Sequence, residues 1–216
     1  MALVKSGIKM IPYNSFRFFK PPRPEIKVPV GMLPHYEDGS WVAQAKMNGT
    51  YNIIGVSPEK TLHCLKRDGD KHRNWQPTAD TIKAFRNLPG DGWYVFCAEL
   101  MNDKTPHIKN INYIHDLVVA DGQMLVGSKY LDRYALLVDL LKPRQHTEQH
   151  YNIVDDRTWV ATIFTNEYNF KEVYRHITPQ SEIEGLVLKS VETQLSLADM
   201  SRGMVKVRKL TKNYGF

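Results

Sequence analysis

The sequence predicts an α+β fold of mostly antiparallel sheets flanked by helices, and three observations carry that prediction. Short β-rich runs recur from Trp41 onward, separated by Asn-Gly, Ser-Pro and Asp-Gly turn signals. They alternate irregularly with segments of helical periodicity, a pattern that belongs to α+β architecture. At 216 residues, with 42% apolar and 24% charged residues, the chain has the composition of a globular domain and can bury a core without disulfides or structural metal.

The elements follow in order. Residues 1–40 read as a basic N-terminal arm. Pro12, Pro21, Pro22, Pro24, Pro29 and Pro34 block helix there, and Arg17, Lys20, Arg23 and Lys27 supply the charge. The domain proper spans 41–216. Its first runs, WVAQAKM, YNIIGVS and TLHCLKR, predict an antiparallel sheet with turns at Asn48-Gly49 and Ser57-Pro58. A helix is expected from Pro77 to Leu88, with Ile82, Phe85 and Leu88 on one face and a stop at Pro89-Gly90. Strands are expected at WYVFCAELM and INYIHDLVVA. A helix from Ser128 to Leu141 should turn Leu131, Tyr134, Leu137, Val138 and Leu141 inward. A strand from Trp159 to Phe164, a helix from Asn169 to Ile177, and strands at EGLVLK and GMVKVRK complete the reading.

Composition narrows the function. Lys and Arg outnumber Asp and Glu by 29 to 23, and the isoelectric point near 9.2 leans toward a polyanionic partner. Cys64 and Cys97 form no CxxC pair, so neither a disulfide framework nor a zinc site is readable. The histidines show no HExxH spacing. The N-terminus lacks the apolar core of a signal peptide, and no run of about 18 apolar residues occurs. An intracellular, cytoplasmic, monomeric protein without membrane contact is expected.

Four segments carry chemistry. Lys46 ends an apolar strand and is followed by Met47, Asn48 and Gly49, which can hold an amine at the rim of a sheet, although KxxG alone is a common pattern. Glu99 lies inside an apolar strand, where a buried carboxylate needs a cation, a metal or a ligand hydroxyl. Glu184 and Lys189 stand at opposite ends of one short strand. Lys206 and Arg208 share a strand face with Val205 and Val207 behind them, and two cations on one face can grip a phosphate.

In chain order, KMNG, AELM, EGLVLK and KVR resemble motifs I, III, IV and V of the covalent nucleotidyltransferases, the superfamily of DNA ligases, RNA ligases and mRNA capping enzymes. LKRDGD resembles the ligase motif Ia, with Arg67 at its arginine. The run from Tyr113 to Leu141 resembles motif IIIa and the helix after it, including Arg133. The resemblance implies that Lys46 attacks the α-phosphate of ATP and carries AMP as a phosphoramidate. It places Gln44 on the adenine amino group and Gly49 in the nucleotide-binding set. Arg67 and Glu99 fall on the ribose or nick phosphate, Glu184 with Glu99 on Mg²⁺, and Lys189, Lys206 and Arg208 around the α-phosphate. His115 becomes the adenine stacker, with Tyr113 its rival. An ordinary lysine amine is neutral in fewer than roughly one molecule in a thousand at pH 7, so such a nucleophile needs neighbouring cations.

The sequence departs from the family pattern in places. Asn48 and Tyr51 stand where most DNA ligases have Asp and Arg, which is closer to RNA ligases, while the longer 113–141 segment is closer to DNA ligases. Arg208 replaces a lysine. Only LTKNYGF follows motif V, so an OB-fold domain and the motif VI carried on it are expected to be missing, and no segment suited to NAD precedes Trp41. The expectation is an ATP-dependent polynucleotide ligase acting on nicked nucleic acid, DNA ahead of RNA, through a lysyl-AMP intermediate. An RNA ligase joining or repairing RNA ends is the alternative, and a silent nucleic-acid-binding module of the same fold is the third reading. Arm cations together with Lys209 and Lys212 are expected to face a phosphate backbone.

Overall fold

The computed structural model describes residues 11–20, 22–105, 107–144, 149–197 and 203–210, so Lys212 lies outside the described residues. The lead-in forms β1 (Ile11–Pro12), β2 (Ile26–Lys27) and a 3-10 helix (Val30–Tyr36). Next come β3 (Trp41–Met47), β4 (Thr50–Val56), β5 (Leu62–Leu65), α1 (Ala79–Lys83), β6 (Tyr94–Met101), β7 (Ile111–Ala120) and β8 (Gln123–Met124). The remainder is α2 (Tyr130–Leu141), β9 (Tyr151–Asp155), β10 (Thr158–Ala161), α3 (Phe170–Ile177), β11 (Ile183–Ser190) and β12 (Met204–Arg208).

These strands make two sheets. The larger runs β1-β8-β7-β6-β4-β5, with β10 added parallel to β7 and β9 antiparallel to β10. The smaller runs β2-β12-β11-β3, antiparallel except for the β2–β12 pair. The expected antiparallel α+β architecture is therefore present, but β3 and β4 do not pair. Asn48-Gly49 is a crossing point where the chain leaves the small sheet and enters the large one. The cause is burial: Ala43, Ala45 and Met47 belong to one apolar core and Ile53, Ile54 and Val56 to another.

The first core lies on the large sheet beneath α2, which contributes Leu137 and Leu141. The second joins the inner face of the small sheet to Phe170, Val173 and Ile177 of α3. That helix begins where expected, with the Asn169 side chain accepting from the Glu172 amide at 2.9 Å. Several expectations need correction. α1 is one short turn of helix, started by a capping box between Thr78 and Thr81, and Thr81 rather than Ile82 is buried beside Phe85 and Leu88. On α2, Leu131 is exposed; Tyr130 and Arg133 take the inward positions. β9 had no expected counterpart. The lead-in is not outside the core, because Tyr13 and Leu33 are buried and both short strands join sheets. No helix among the described residues is long and apolar enough to cross a membrane.

Candidate active site

A cavity of about 270 Å³ opens between the two sheets. One face of β3 brings Gln44 and Lys46 to it, while Ala43, Ala45 and Met47 alternate toward the core. β12 presents Lys206 and Arg208 in the same way, with Val205 and Val207 buried behind them. Arg67, Glu99, His115 and Lys189 also reach its wall, so eight of the sequence-predicted residues converge from two sheets.

Two β-bulges decide which side chains arrive. On β11, Ile183 pairs with Met47 and Gly185 with Lys46, leaving Glu184 as the extra residue. Strict alternation would put Glu184 on the core face with Leu186 and Leu188, but the bulge turns it to the site face beside Lys46. Gly185 is required there: φ is +151°, and a Cβ would fall 1.8 Å from the Val207 carbonyl oxygen. On β7, Asp116 pairs with Cys97 and Ile114 with Ala98, which leaves His115 as the extra residue.

The electrostatics are dense. The Glu184 Oε2 atom accepts from Lys46 Nζ at 2.5 Å and forms an ion pair with Arg208 Nη2 at 3.2 Å. Burial pushes the Glu99 carboxyl up to about 7, against the lowering influence of Lys46 and Lys104 and of a hydrogen bond from the Gly49 amide. Lys189 is buried, donates to the His115 carbonyl at 3.0 Å, and lies 4.2 Å from the centre of the Tyr130 ring. Burial lowers its pKa to about 8. His115 is driven down to about 3, first by burial and then by the Lys189 charge, so its ring is neutral at pH 7. The ring meets Tyr51 edge-on at 5.7 Å, and the Arg67 guanidinium carbon lies 5.6 Å from the Tyr51 ring centre. Below His115, Arg133 grips Asp116 with two bonds of 2.9 and 3.1 Å and donates to the Ser128 carbonyl, tying α2 to β7.

Gly49 and Glu184 stand off the cavity wall. Gly49 abuts β6 so closely that a Cβ would come within 2.6 Å of Glu99 Cγ, and its role is to let the crossing pass under the site. Tyr113 reaches the wall too, but it is 1% exposed and its hydroxyl donates toward the carbonyls of Ala45 and His150. Lys209 is not turned outward: its ammonium caps the end of α3 at the carbonyls of Thr178 and Gln180, at 3.0 and 2.9 Å. Sequence reasoning missed Tyr51 as a wall residue, Lys104, which donates to the Gly49 carbonyl at 2.6 Å, and Tyr130. Tyr51 and Tyr130 were signalled only by aromaticity in a strand and at a helix start, and Lys104, in the bend after β6, by its charge alone. Gln44 is buried, and its amide nitrogen has no hydrogen-bond partner. Among the described residues no group of three or more His, Cys, Asp or Glu is placed to hold a metal.

The two sheets with their flanking helices have the fold of solved ligase domains. No family model and no curated protein matches the chain, whereas solved structures share its fold. One described as Pmar-Lig_Pre aligns with a TM-score of 0.64 at 12% identity, over 88% of this chain and 46% of its own. The ligase domain of LigD from M. tuberculosis gives 0.60 at 16% identity, over 89% and 61%. A mycobacterial DNA ligase D complexed with ATP and MES gives 0.58 at 16% identity, over 89% and 62%. This chain thus spans about half to three fifths of each of those proteins.

Proposed function

We propose that the chain is an ATP-dependent polynucleotide ligase that takes AMP onto Lys46 and passes it to a 5′-phosphate end, with nicked DNA as its substrate. The observation that carries this reading is Lys46 at a cavity walled by Gln44, Glu99, Lys189, Lys206 and Arg208, an arrangement in which one amine meets several phosphate-binding cations and an unpartnered amide. A role in DNA repair, replication or recombination would follow.

The residues fit a nucleotide. Gln44 can donate to a ring nitrogen of adenine and accept from its amino group, which satisfies the orphaned amide. His115, neutral and at the rim of the wall, offers a flat ring for stacking. The Lys46–Glu184 pair must part before the amine has a lone pair to give. Incoming phosphate competes for Lys46 and Arg208, and Glu184 is then available to a cation. Glu99 and Glu184 are the residues that would hold Mg²⁺, with phosphate oxygens completing a sparse oxygen donor set. When bound, Mg²⁺ would neutralise charge on the phosphates. Lys189, Lys206 and Arg208 stabilise the charge that develops around the α-phosphate as the lysine attacks.

A second reading, RNA ligation, is favoured by Asn48 and by Tyr51, whose ring lies between His115 and Arg67. Incubation with labelled ATP and Mg²⁺, followed by nicked DNA or nicked RNA, tests both. Label on the protein with sealing of DNA supports the first reading, and sealing of RNA alone supports the second. A protein that takes no label overturns the enzymatic reading.

A further inference from the structure

The lead-in supplies the outer wall of the cavity, and one of its side chains is a cation. Pro22, Arg23 and Pro24 line the opening together with Lys46, Lys206 and Arg208. Two contacts hold the segment in place. β2 runs parallel to β12, with Ile26 opposite Val205 and Lys27 opposite Lys206. The Lys206 ammonium donates to the Pro24 carbonyl at 3.0 Å. The two prolines fix their own φ, and Pro24 keeps the preceding Arg23 extended. A stiff strap therefore delivers Arg23 to the mouth, anchored to the strand that carries Lys206 and Arg208.

The cations are graded by depth. Lys189 is buried, and side-chain exposure then rises from 19% at Lys46 to 30% at Arg208 and 45% at Arg23. A nucleoside triphosphate seated base-first, with its α-phosphate at Lys46, directs its outer phosphates along that gradient. Arg23 is at present held by Glu25, as Lys46 and Arg208 are held by Glu184. Each carboxylate occupies a guanidinium or ammonium that a phosphate could take.

We propose that Arg23 is the contact for the β- and γ-phosphates of the incoming nucleotide, and so for the departing pyrophosphate, an assignment that rests on the reading of the cavity as an ATP site. In the step concerned, the Lys46 amine forms an N–P bond to the α-phosphorus. The bond from that phosphorus to the bridging oxygen breaks with its electron pair on pyrophosphate, and the amine proton passes to water. Pyrophosphate gains charge as it leaves, and the guanidinium fork matches two of its oxygens. Arg23 then grips two outer phosphates in the first half-reaction, whereas the nick's 5′-phosphate, which enters opposite Lys46 in the second, offers it only one.

The test compares wild type with Arg23→Ala and Arg23→Lys in three assays: AMP adduct formation against ATP concentration, reversal of the adduct by inorganic pyrophosphate, and single-turnover AMP transfer from adenylated protein to a nick. Because the side chain is exposed, folding should be intact, which thermal unfolding checks. The expected result for Arg23→Ala is an ATP requirement raised on the order of ten- to a hundredfold, with pyrophosphate reversal slowed alike and transfer to the nick affected far less. Arg23→Lys should recover part of the loss. A variant with wild-type ATP dependence and reversal overturns the proposal, as does a defect confined to transfer, which would make Arg23 a nucleic-acid contact. If wild type itself acquires no AMP, the ATP reading falls and the proposal falls with it.

Discussion

The Glu184 carboxylate bonds the Lys46 ammonium at 2.5 Å, and the same oxygen reaches the Arg208 guanidinium at 3.2 Å. One acidic group thus occupies both the amine that should react and a cation that should hold phosphate. Lys46→Ala should leave the fold standing, since the side chain lies in the cavity, and should abolish the AMP adduct. Intact-mass spectrometry after ATP treatment checks this; an adduct retained by the mutant would remove Lys46 from the mechanism. Glu184→Gln should keep the protein folded while raising the Mg²⁺ concentration needed for adduct formation.

Lys189 carries a buried ammonium. Its burial depresses its pKa to about 8, while the nearby Asp116 is already engaged by Arg133. Replacement by Met should raise stability by about 1 kcal/mol at pH 7, because the desolvation cost of the ammonium disappears, and should abolish AMP transfer. In wild type, stability should climb as pH rises from about 8 toward the ordinary lysine range, where the unfolded chain still binds a proton that the folded chain has lost. Denaturant unfolding against pH reads both effects. A flat profile would refute the assignment.

Glu99 supplies the opposite slope. Its carboxyl is held protonated up to about 7 in the folded chain, whereas the unfolded chain releases the proton near 4.5. Stability should fall as pH rises through that window, on the order of 2–3 kcal/mol. Glu99→Gln should flatten this fall and weaken nucleotide use. An unchanged pH profile in the mutant would mean that another group titrates there.

The base pocket separates by readout. Gln44→Ala and His115→Ala should each raise the ATP concentration needed for adduct formation, equivalent to about 1–3 kcal/mol, with little loss of stability. Tyr113→Ala should instead destabilise the fold by about 3–5 kcal/mol, because its ring fills the second core and its hydroxyl bridges two carbonyls. A Tyr113 variant that folds normally but binds ATP poorly would transfer the stacking role to it.

Salt should divide the two half-reactions. Phosphate contacts made on an open surface lose on the order of 10³–10⁵ in affinity between 50 and 200 mM salt when about six to ten are involved, while chemistry within a cavity is screened far less. End joining should therefore collapse across a KCl series in which adduct formation persists. Charge reversal at Arg17, Lys20 and Lys27 should mimic the salt. Lys209 should not contribute, since it closes the end of α3. Parallel loss of both activities would show that the lead-in is not the clamp.

What the sequence by itself determined is local. The extent of β7 and the course of α3 from its Asn169 cap follow from runs and caps a few residues long. The shared face of Lys206 and Arg208 follows from strand alternation. Glu99 was legible because a carboxylate in an apolar strand demands a partner, whereas Lys46 and Lys189 came forward through the resemblance of KMNG and EGLVLK to family motifs. The tertiary structure decided the rest. Whether Asn48-Gly49 closes a hairpin or carries the chain between sheets depends on which core each strand buries, and that core is built from residues far away in the chain. Alternation alone would have turned Glu184 away from Lys46. The bulges that bring in Glu184 and His115 are mismatches in register between partner strands, so they exist only once the partner is chosen. Proline density in the lead-in was read as an arm because it forbids helix, yet proline does not forbid an edge strand against β12, and that pairing places Arg23 at the cavity mouth.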